Sequence, residues 1–396
     1  MSRVFVTGIG VVSAIGNNVE QNLTQLKKGE SGIGKAHFLK SNFVETHVFG
    51  EAKISTDELR AQLNIFDKGF TRNDLIAFLA FEEAIKKAHL SAQEISSTNT
   101  AFISASTIGG MQMTQELYND ANLISKSSDL LESYPGHTHA QKFAKHYQLS
   151  GIVDVINTAC SSSANAIMNG ARLIKAGKIN RAIVGGTDSL GKFTVNGFNS
   201  LGIMSEKPCQ PFDENRSGLN LGEGAAYLIL ESEELIGDKK IYGEILGYGN
   251  SNDAYHPSSL SDEAIGVVIA MEKALKVANI SPDKIDYINA HGTATGNNDY
   301  TELTGIQKTF NRFPPFNSTK SYTGHTLAAS GAIEAIYSIL SLQNQELYPS
   351  LNFKDCIIPF DQKPISNYQN NVSLKYVMSN SFGFAGNCTS LIISNI

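Results

Sequence analysis

The chain reads as an α/β protein made of two related halves, each a sheet flanked by helices. Three observations predict this. Short apolar runs alternate with helical patterns along all 396 residues, the pattern of sheets covered by helices. The alternation restarts near the middle. The two passes are joined by a charged, aperiodic stretch, 232–240. This length suits two domain-sized units or one large fused one, with the division expected at 1–235 and 236–396.

In the first pass, strands are expected at Val4–Gly8, Ala101–Ala105, Val153–Asn157, Arg181–Gly185 and Ala225–Leu230. Helices are expected at Asn17–Lys28, Arg72–Ala88 and Ser162–Ala176. The last carries Ala164, Ile167, Ala171 and Ile174 on one face, the spacing of a buried helix. In the second pass, a strand at Tyr242–Tyr248 precedes a helix at Glu263–Ala278, and a strand at Ile285–Asn289 leads to a helix beginning near Asp299. A helix at Leu327–Leu342 and strands near Val372–Met378 and Ser390–Ile393 complete it. The repeat is one of architecture, without clear residue identity between the halves. Near the start, TGIGVVSAIG invites a phosphate-cradle reading. No clean helix follows it, and no acidic residue ends a second strand about 20 residues on, as a dinucleotide site requires. It reads as a packing turn.

Composition narrows the function classes. Hydrophobic content of 41% and 34 glycines fit a globular α/β chain. A net charge of −6 with no basic run gives no sign of nucleic-acid binding. The apolar N-terminus lacks a signal peptide's charged start and cleavage site, and no apolar stretch is long enough to span a membrane. Cys160, Cys209, Cys356 and Cys388 lie far apart, which argues against zinc or a disulfide framework and suits a reducing cytoplasm.

Cys160 falls in VDVINTACSSSANAIMNGARLIKAG, at the junction of a buried strand and the N-terminus of a buried helix. Unpaired amides there favour negative charge, so the thiol pKa is expected to fall, and the same amides can hold an oxyanion. On this segment alone an inert buried cysteine fits equally well. His291, in YINAHGTATGNNDYTE, sits at a strand end in a Gly/Thr-rich loop, placed to reach a cleft or to be satisfied by loop backbone. His325, in NSTKSYTGHTLAASGAIEAI, precedes a helix of small residues. Lys320 stands five positions before it and can keep the imidazole neutral by like-charge repulsion; Glu334, nine after, can supply the carboxylate that holds Lys320. NSFGFAGNCTS, Asn380 to Ser390, reads as a glycine loop in which Phe382 or Phe384 serves as a flap, or both serve as core. Each segment is a strand end, a small-residue turn and a helix or second strand. Together they predict one cysteine, two histidines and one lysine converging in one pocket.

At these residues the sequence resembles the elongating, type II β-ketoacyl-acyl carrier protein synthases. TACSSS, HGTATGNND, STKSYTGHTLAASGAIEAI and NSFGF occur in the family's order, along essentially the whole chain. The resemblance implies the thiolase fold, two pseudo-symmetric halves in five layers (α-β-α-β-α), and a homodimer. It implies a decarboxylating Claisen condensation: an acyl group on Cys160 is attacked by the carbanion of decarboxylated malonyl-carrier protein. His291 and His325 would act as neutral donors, Lys320 and Glu334 as the supporting pair, and the amides of Cys160 and Phe384 as the oxyanion hole. Phe384 matches the gating phenylalanine, with Phe382 beside it. Asp253, in DAYH, matches a second mobile loop; Ile108 and Phe198 match acyl-pocket lining; Thr293 and Asp299 fit the loop around the first histidine. Initiating members carry asparagine where this chain has His325, chain-length-factor subunits lose the cysteine, and degradative thiolases use a second cysteine near the last loop, in a motif unlike that of Cys388.

The implied partners are acyl- and malonyl-carrier protein, whose phosphopantetheine arm leaves the enzyme needing no metal or cofactor of its own. A heterodimer with a ketosynthase-like subunit, a thiolase-type acyltransferase of coenzyme A esters and a non-catalytic chain-length partner are the alternatives. Lys68, Arg72 and Lys207 are candidates for a basic patch facing the acidic carrier. The chain departs from the family at TACSSS, which is closer to polyketide members, and at GFAGNCTS, where a second glycine and then Thr-Asn are usual. These departures bear on the substrate: fatty acid, polyketide or aryl-polyene.

Overall fold

The computed structural model describes residues 2–128 and 130–396. The strands of the first half are β1 (Val4–Val12), β2 (Thr100–Ala105), β3 (Val153–Ile156), β4 (Arg181–Asp188) and β5 (Gly224–Ser232). Those of the second are β6 (Gly243–Asn252), β7 (Tyr287–Asn289), β8 (Phe316–Asn317), β9 (Tyr376–Phe382) and β10 (Asn387–Ser394). The helices that matter here are α1 (Val19–Lys28), α2 (Arg72–Lys87), α3 (Ser162–Lys175), α4 (Ile265–Ala278), α5 (Gly296–Thr309) and α6 (Ser330–Asn344).

The strands lie in the order β3-β2-β4-β5-β1-β6-β10-β9-β7-β8. Between β1 and β6 the ladder is only two pairs long, Phe5 with Glu244 and Val6 with Gly243, so the sheet divides into two five-strand leaves. The leaves share one topology: β2 is parallel to β3 and β4, β5 antiparallel to β4 and β1. In the second leaf β7 is parallel to β8 and β9, and β10 antiparallel to β9 and β6.

Alternation along the strands builds the layers. Ala226, Leu228 and Leu230 of β5 face a core shared with α3 and α6, while Ala225, Tyr227 and Ile229 face the core under α2. In the second leaf Leu391 and Ile393 face the central core and Ile392 faces the core under α4. Strands buried on both faces must be apolar throughout, which is why they read as continuous runs. Helix α3 packs on α6 between the leaves, and α2 and α4 cover the outer faces. This is the five-layer α-β-α-β-α thiolase arrangement.

Three expectations need correction. The segment TGIGVV is no turn: β1 runs unbroken to Val12. Its glycines let a helix approach. A Cβ on Gly8 would lie 2.4 Å from the Ala84 carbonyl oxygen, and one on Gly10 would lie 2.0 Å from that of Ala80. The second half repeats the device, with Gly247 at 2.4 Å from the Ala274 oxygen and Gly249 at 2.0 Å from that of Ala270. Residue correspondence between the halves therefore exists, as G-x-G on a strand against Ala every fourth residue on a helix. Second, β3 is not buried: it is the edge of the first leaf, with Val153 37% exposed. Third, Asn380, Ser381 and Phe382 belong to β9, and the glycine loop shrinks to a turn at Gly383–Gly386.

Candidate active site

Cys160 is presented by a tight turn between β3 and α3. Ala159 before it has φ of 54°, a left-handed conformation that costs a non-glycine residue energy and persists where surrounding contacts enforce it. Those contacts are Thr158 N–H donating to Ser162 Oγ at 2.8 Å and Ser162 N–H donating to the Ala159 carbonyl at 3.1 Å. No side chain caps the N-terminus of α3, and the helix head favours negative charge beside it. The Phe384 amide acts to lower the thiol pKa.

The expected drop in the thiol pKa is not found. Burial pushes the Cys160 thiol up to about 12, and the pull of Lys320 and of the Phe384 amide only partly opposes it. Desolvation of the thiolate outweighs the favourable charges when the site is closed to water.

His291 follows β7, and α5 fixes its loop. Its backbone N–H donates to Glu302 Oε1 at 2.9 Å, and the N–H of Gly292 to Oε2 at 2.9 Å. Asp299, one turn earlier, accepts from the N–H of Ala294 at 3.1 Å and of Phe212 at 2.7 Å. Glu302 escaped the sequence reading; its signal was an acidic pair three apart on the first turns of the helix after the histidine loop. Lys320 Nζ lies 3.2 Å from His291 Nδ1 and donates to the His291 carbonyl at 2.6 Å. An ammonium has only donors, so Nδ1 accepts and the ring proton sits on Nε2. Lys320 also pairs with Glu334, and both are buried. Burial pushes the Glu334 carboxyl up to about 7 against the pull of Lys320.

His325 is clamped by backbone: its N–H donates to the Asn220 carbonyl at 2.7 Å, and its carbonyl accepts from Gly222 N–H at 2.9 Å. Its Nδ1 lies 2.9 Å from Ser330 Oγ, at the start of α6. With Ser330 donating, Nε2 carries the proton here too. The two rings stand edge to face, 5.4 Å apart. Burial first, and Lys320 second, hold both pKa values well below the usual histidine range. Both imidazoles are therefore neutral donors at physiological pH.

A cavity of about 310 Å³ brings Cys160, His291, His325, Thr293, Phe382 and Phe384 together. Lys320 and Glu334 stand behind the histidines rather than in its wall. A second cavity, about 350 Å³ and almost wholly apolar, shares Cys160, Phe198 and Phe384 and is walled by Ile108, Met111 and Leu327. Phe384 stacks on Phe198 with centroids 5.8 Å apart, and both line the two cavities. Asp253 lines neither cavity. It accepts from Ser261 N–H at 2.6 Å and Gly266 N–H at 2.8 Å, fixing the loop that brings Ser258 and Leu260 to the first cavity.

Arg72 is no part of an open basic patch: its part-buried guanidinium is paired with Glu223, Nη2 to Oε1 2.6 Å. Lys68 and Lys207 are exposed. Among the described residues no cluster of three His, Cys, Asp or Glu side chains could hold a metal, and no helix is long and apolar enough to cross a membrane.

Comparisons with known proteins agree with this geometry. Residues 1–235 match the β-ketoacyl synthase N-terminal domain and residues 242–354 the C-terminal domain of that family. The chain is 33% identical to 3-oxoacyl-[acyl-carrier-protein] synthase 2 of Coxiella burnetii, over 100% of this chain and 99% of the relative. Among solved structures, the ishigamide ketosynthase/chain length factor superposes with a TM-score of 0.93 at 26% identity, over 100% of this chain and 99% of the other. A type II polyketide ketosynthase, solved with its acyl-carrier protein and bound to a hexaketide, gives 0.89 at 27% identity, over 100% and 99%. Matches to both domains, and a relative 33% identical over the whole chain, make this chain a member of the β-ketoacyl synthase family of acyltransferase condensing enzymes.

Proposed function

We propose that this protein is a β-ketoacyl-acyl carrier protein synthase of the elongating kind. The observation that carries the reading is the convergence of Cys160, His291 and His325 on one cavity, with the Lys320–Glu334 pair behind it. Cys160 attacks the acyl thioester delivered on a carrier protein. The tetrahedral oxyanion rests on the amides of Cys160 and Phe384, and its collapse expels the phosphopantetheine thiol, which takes up the proton. Malonyl-carrier protein then loses carbon dioxide. The electron pair of the broken bond passes into an enolate whose oxygen accepts from the Nε2–H groups of His291 and His325. The carbanion attacks the acyl carbon, the bond to Cys160 breaks, and β-ketoacyl-carrier protein leaves. A thiolate serves both steps because it is a good nucleophile and a fair leaving group. Lys320 holds His291 in the donor tautomer, and Asp299 holds the loop around Thr293. The enzyme needs no cofactor or metal of its own; the phosphopantetheine arm comes with the carrier.

The apolar cavity supports a reduced, hydrocarbon acyl chain, as in fatty acid synthesis. Ile108, Met111, Phe198 and Leu327 offer no hydrogen bond to chain carbonyls, and the hydroxyl of Thr107 is already bound to Asp188. Two alternatives lose support. A thiolase-type reaction would want a second cysteine in the cavity, whereas Cys388 faces the core under α4. A chain-length partner would not keep the cysteine.

We assign the protein to the cytoplasm, which its four free cysteines suit. We also assign it to a dimer of two such chains, or of one chain with a ketosynthase-like subunit. The open edge of β3 and the exposed Phe193 (52%) and Leu201 (50%) on the apolar cavity favour a covering subunit. The test is incubation with octanoyl-carrier protein followed by intact mass. An octanoyl adduct is expected, absent in Cys160→Ala, and addition of malonyl-carrier protein should yield the two-carbon-longer β-ketoacyl product. An adduct that survives Cys160→Ala would refute the assignment.

A further inference from the structure

The acyl-transfer scheme leaves one cluster of polar groups unused, where the two halves meet beside Cys160. Its centre is Asn387, at one of the positions where the last loop departs from the family pattern. Asn387 opens β10 directly after the turn that carries Phe384. Its carbonyl accepts from Gly383 N–H at 2.8 Å, closing that turn. Its side-chain Oδ1 accepts from Ser161 Oγ at 2.8 Å, Asn165 Nδ2 at 2.9 Å and Asn250 Nδ2 at 2.9 Å. Ser161 follows the nucleophile, and Asn165 lies one turn into α3. One residue thus grips the gate turn through its main chain and the nucleophile turn through its side chain. The two turns are in contact, since a Cβ on Gly383 would lie 2.6 Å from the Thr158 carbonyl oxygen and 3.2 Å from Cys160 N.

We propose that Asn387 is a positioning residue for acyl transfer, fixing the separation of the Cys160 and Phe384 amides that receive the oxyanion. The two amides come from different halves of the chain, so neither half alone can set their distance. The proposal rests on the acyl-transfer reading above. Truncating Asn387 need not unfold the cluster: Ser161 Oγ can turn its single proton to the Thr158 carbonyl, 2.8 Å away, and Asn165 Nδ2 also donates to Thr158 Oγ1 at 2.8 Å. Asn165 Oδ1 also still accepts from Asn250 Nδ2 at 3.1 Å and Thr389 Oγ1 at 2.9 Å; what is lost is the direct tie between the turn that carries Phe384 and the turn that carries Cys160.

The experiment follows single-turnover acylation of Cys160 by octanoyl-carrier protein, by intact mass, in wild type, Asn387→Ala and Asn387→Asp. Asn387→Ala should slow acylation roughly tenfold to a hundredfold at saturating carrier, with the half-saturating concentration unchanged, because misplacing a preorganised group costs rate rather than binding. Asn387→Asp keeps the acceptor oxygen and adds a charge near the thiol. It should recover the rate at high pH, with its pH profile displaced toward alkali. The other charged or titratable groups acting on the thiol are Lys320, Asp188 and Glu334, with His291 and His325 across the cavity, and none of them is altered. Acylation of Asn387→Ala at the wild-type rate, a change in half-saturation alone, or an Asn387→Asp profile superposing on wild type would overturn the proposal. Absence of any adduct in wild type would instead overturn the reading of the site.

Discussion

The head of α3 and the head of α6 occupy the same place in the two halves, yet they carry opposite chemistry. Each helix lies between the leaves and starts just after a strained non-glycine residue, Ala159 with φ of 54° and Leu327 with φ of 52°. At α3 the turn presents Cys160 beside a helix head that no side chain caps. At α6 the turn is preceded by His325, held by Ser330 and the Asn220–Gly222 backbone, and backed by Lys320. On the function proposed above, one architecture supplies the nucleophile from one half and neutral hydrogen-bond donors from the other. Symmetry fixes where the groups sit; local polar partners decide what each can do.

Removing a donor should have the largest effect. His325→Ala should slow decarboxylation of malonyl-carrier protein by roughly 10²–10³-fold while acylation of Cys160 changes far less. Carbon dioxide release and intact mass, measured on one preparation, check the split; equal losses in both would mean that the halves do not divide the work.

The thiol itself sharpens the comparison next. With burial holding Cys160 up to about 12, the thiolate fraction, and so alkylation by iodoacetamide, should rise about tenfold per pH unit across roughly pH 7–10. A thiol whose pKa had been lowered by the helix head would instead plateau near neutrality.

The smallest effect tests the symmetry of the scaffold. Gly10→Ala and Gly249→Ala each thrust a methyl group to 2.0 Å from a helix carbonyl oxygen. Each should destabilise by about 1–3 kcal/mol, read from denaturant unfolding. A loss in only one variant would mean the matched contacts are not equivalent.

How far the sequence revealed this depends on the range of the interaction. Cys160, His291, His325 and Lys320 were legible because small-residue turns between strand and helix are local signals. The alternation that makes five layers was legible for the same reason. The thiol pKa was not, because it is set first by burial within the assembled fold and then by the charges of Lys320 and Asp188 and the Phe384 amide, all brought in from elsewhere in the chain. The continuity of β1 was misread because Gly8 and Gly10 answer to Ala84 and Ala80 on another element. Arg72 resembled a surface charge until its partner, 151 residues away, was known. Asn387 looked like a departure from pattern, and its meaning lies in Ser161 and Asn165 of the other half.

The division of labour between the halves meets its most direct test in Cys160→Gln, whose amide mimics the acylated cysteine. The variant is expected still to release carbon dioxide from malonyl-carrier protein, through His291 and His325, while forming no β-ketoacyl product. Loss of both activities in a variant that keeps its fold would contradict it.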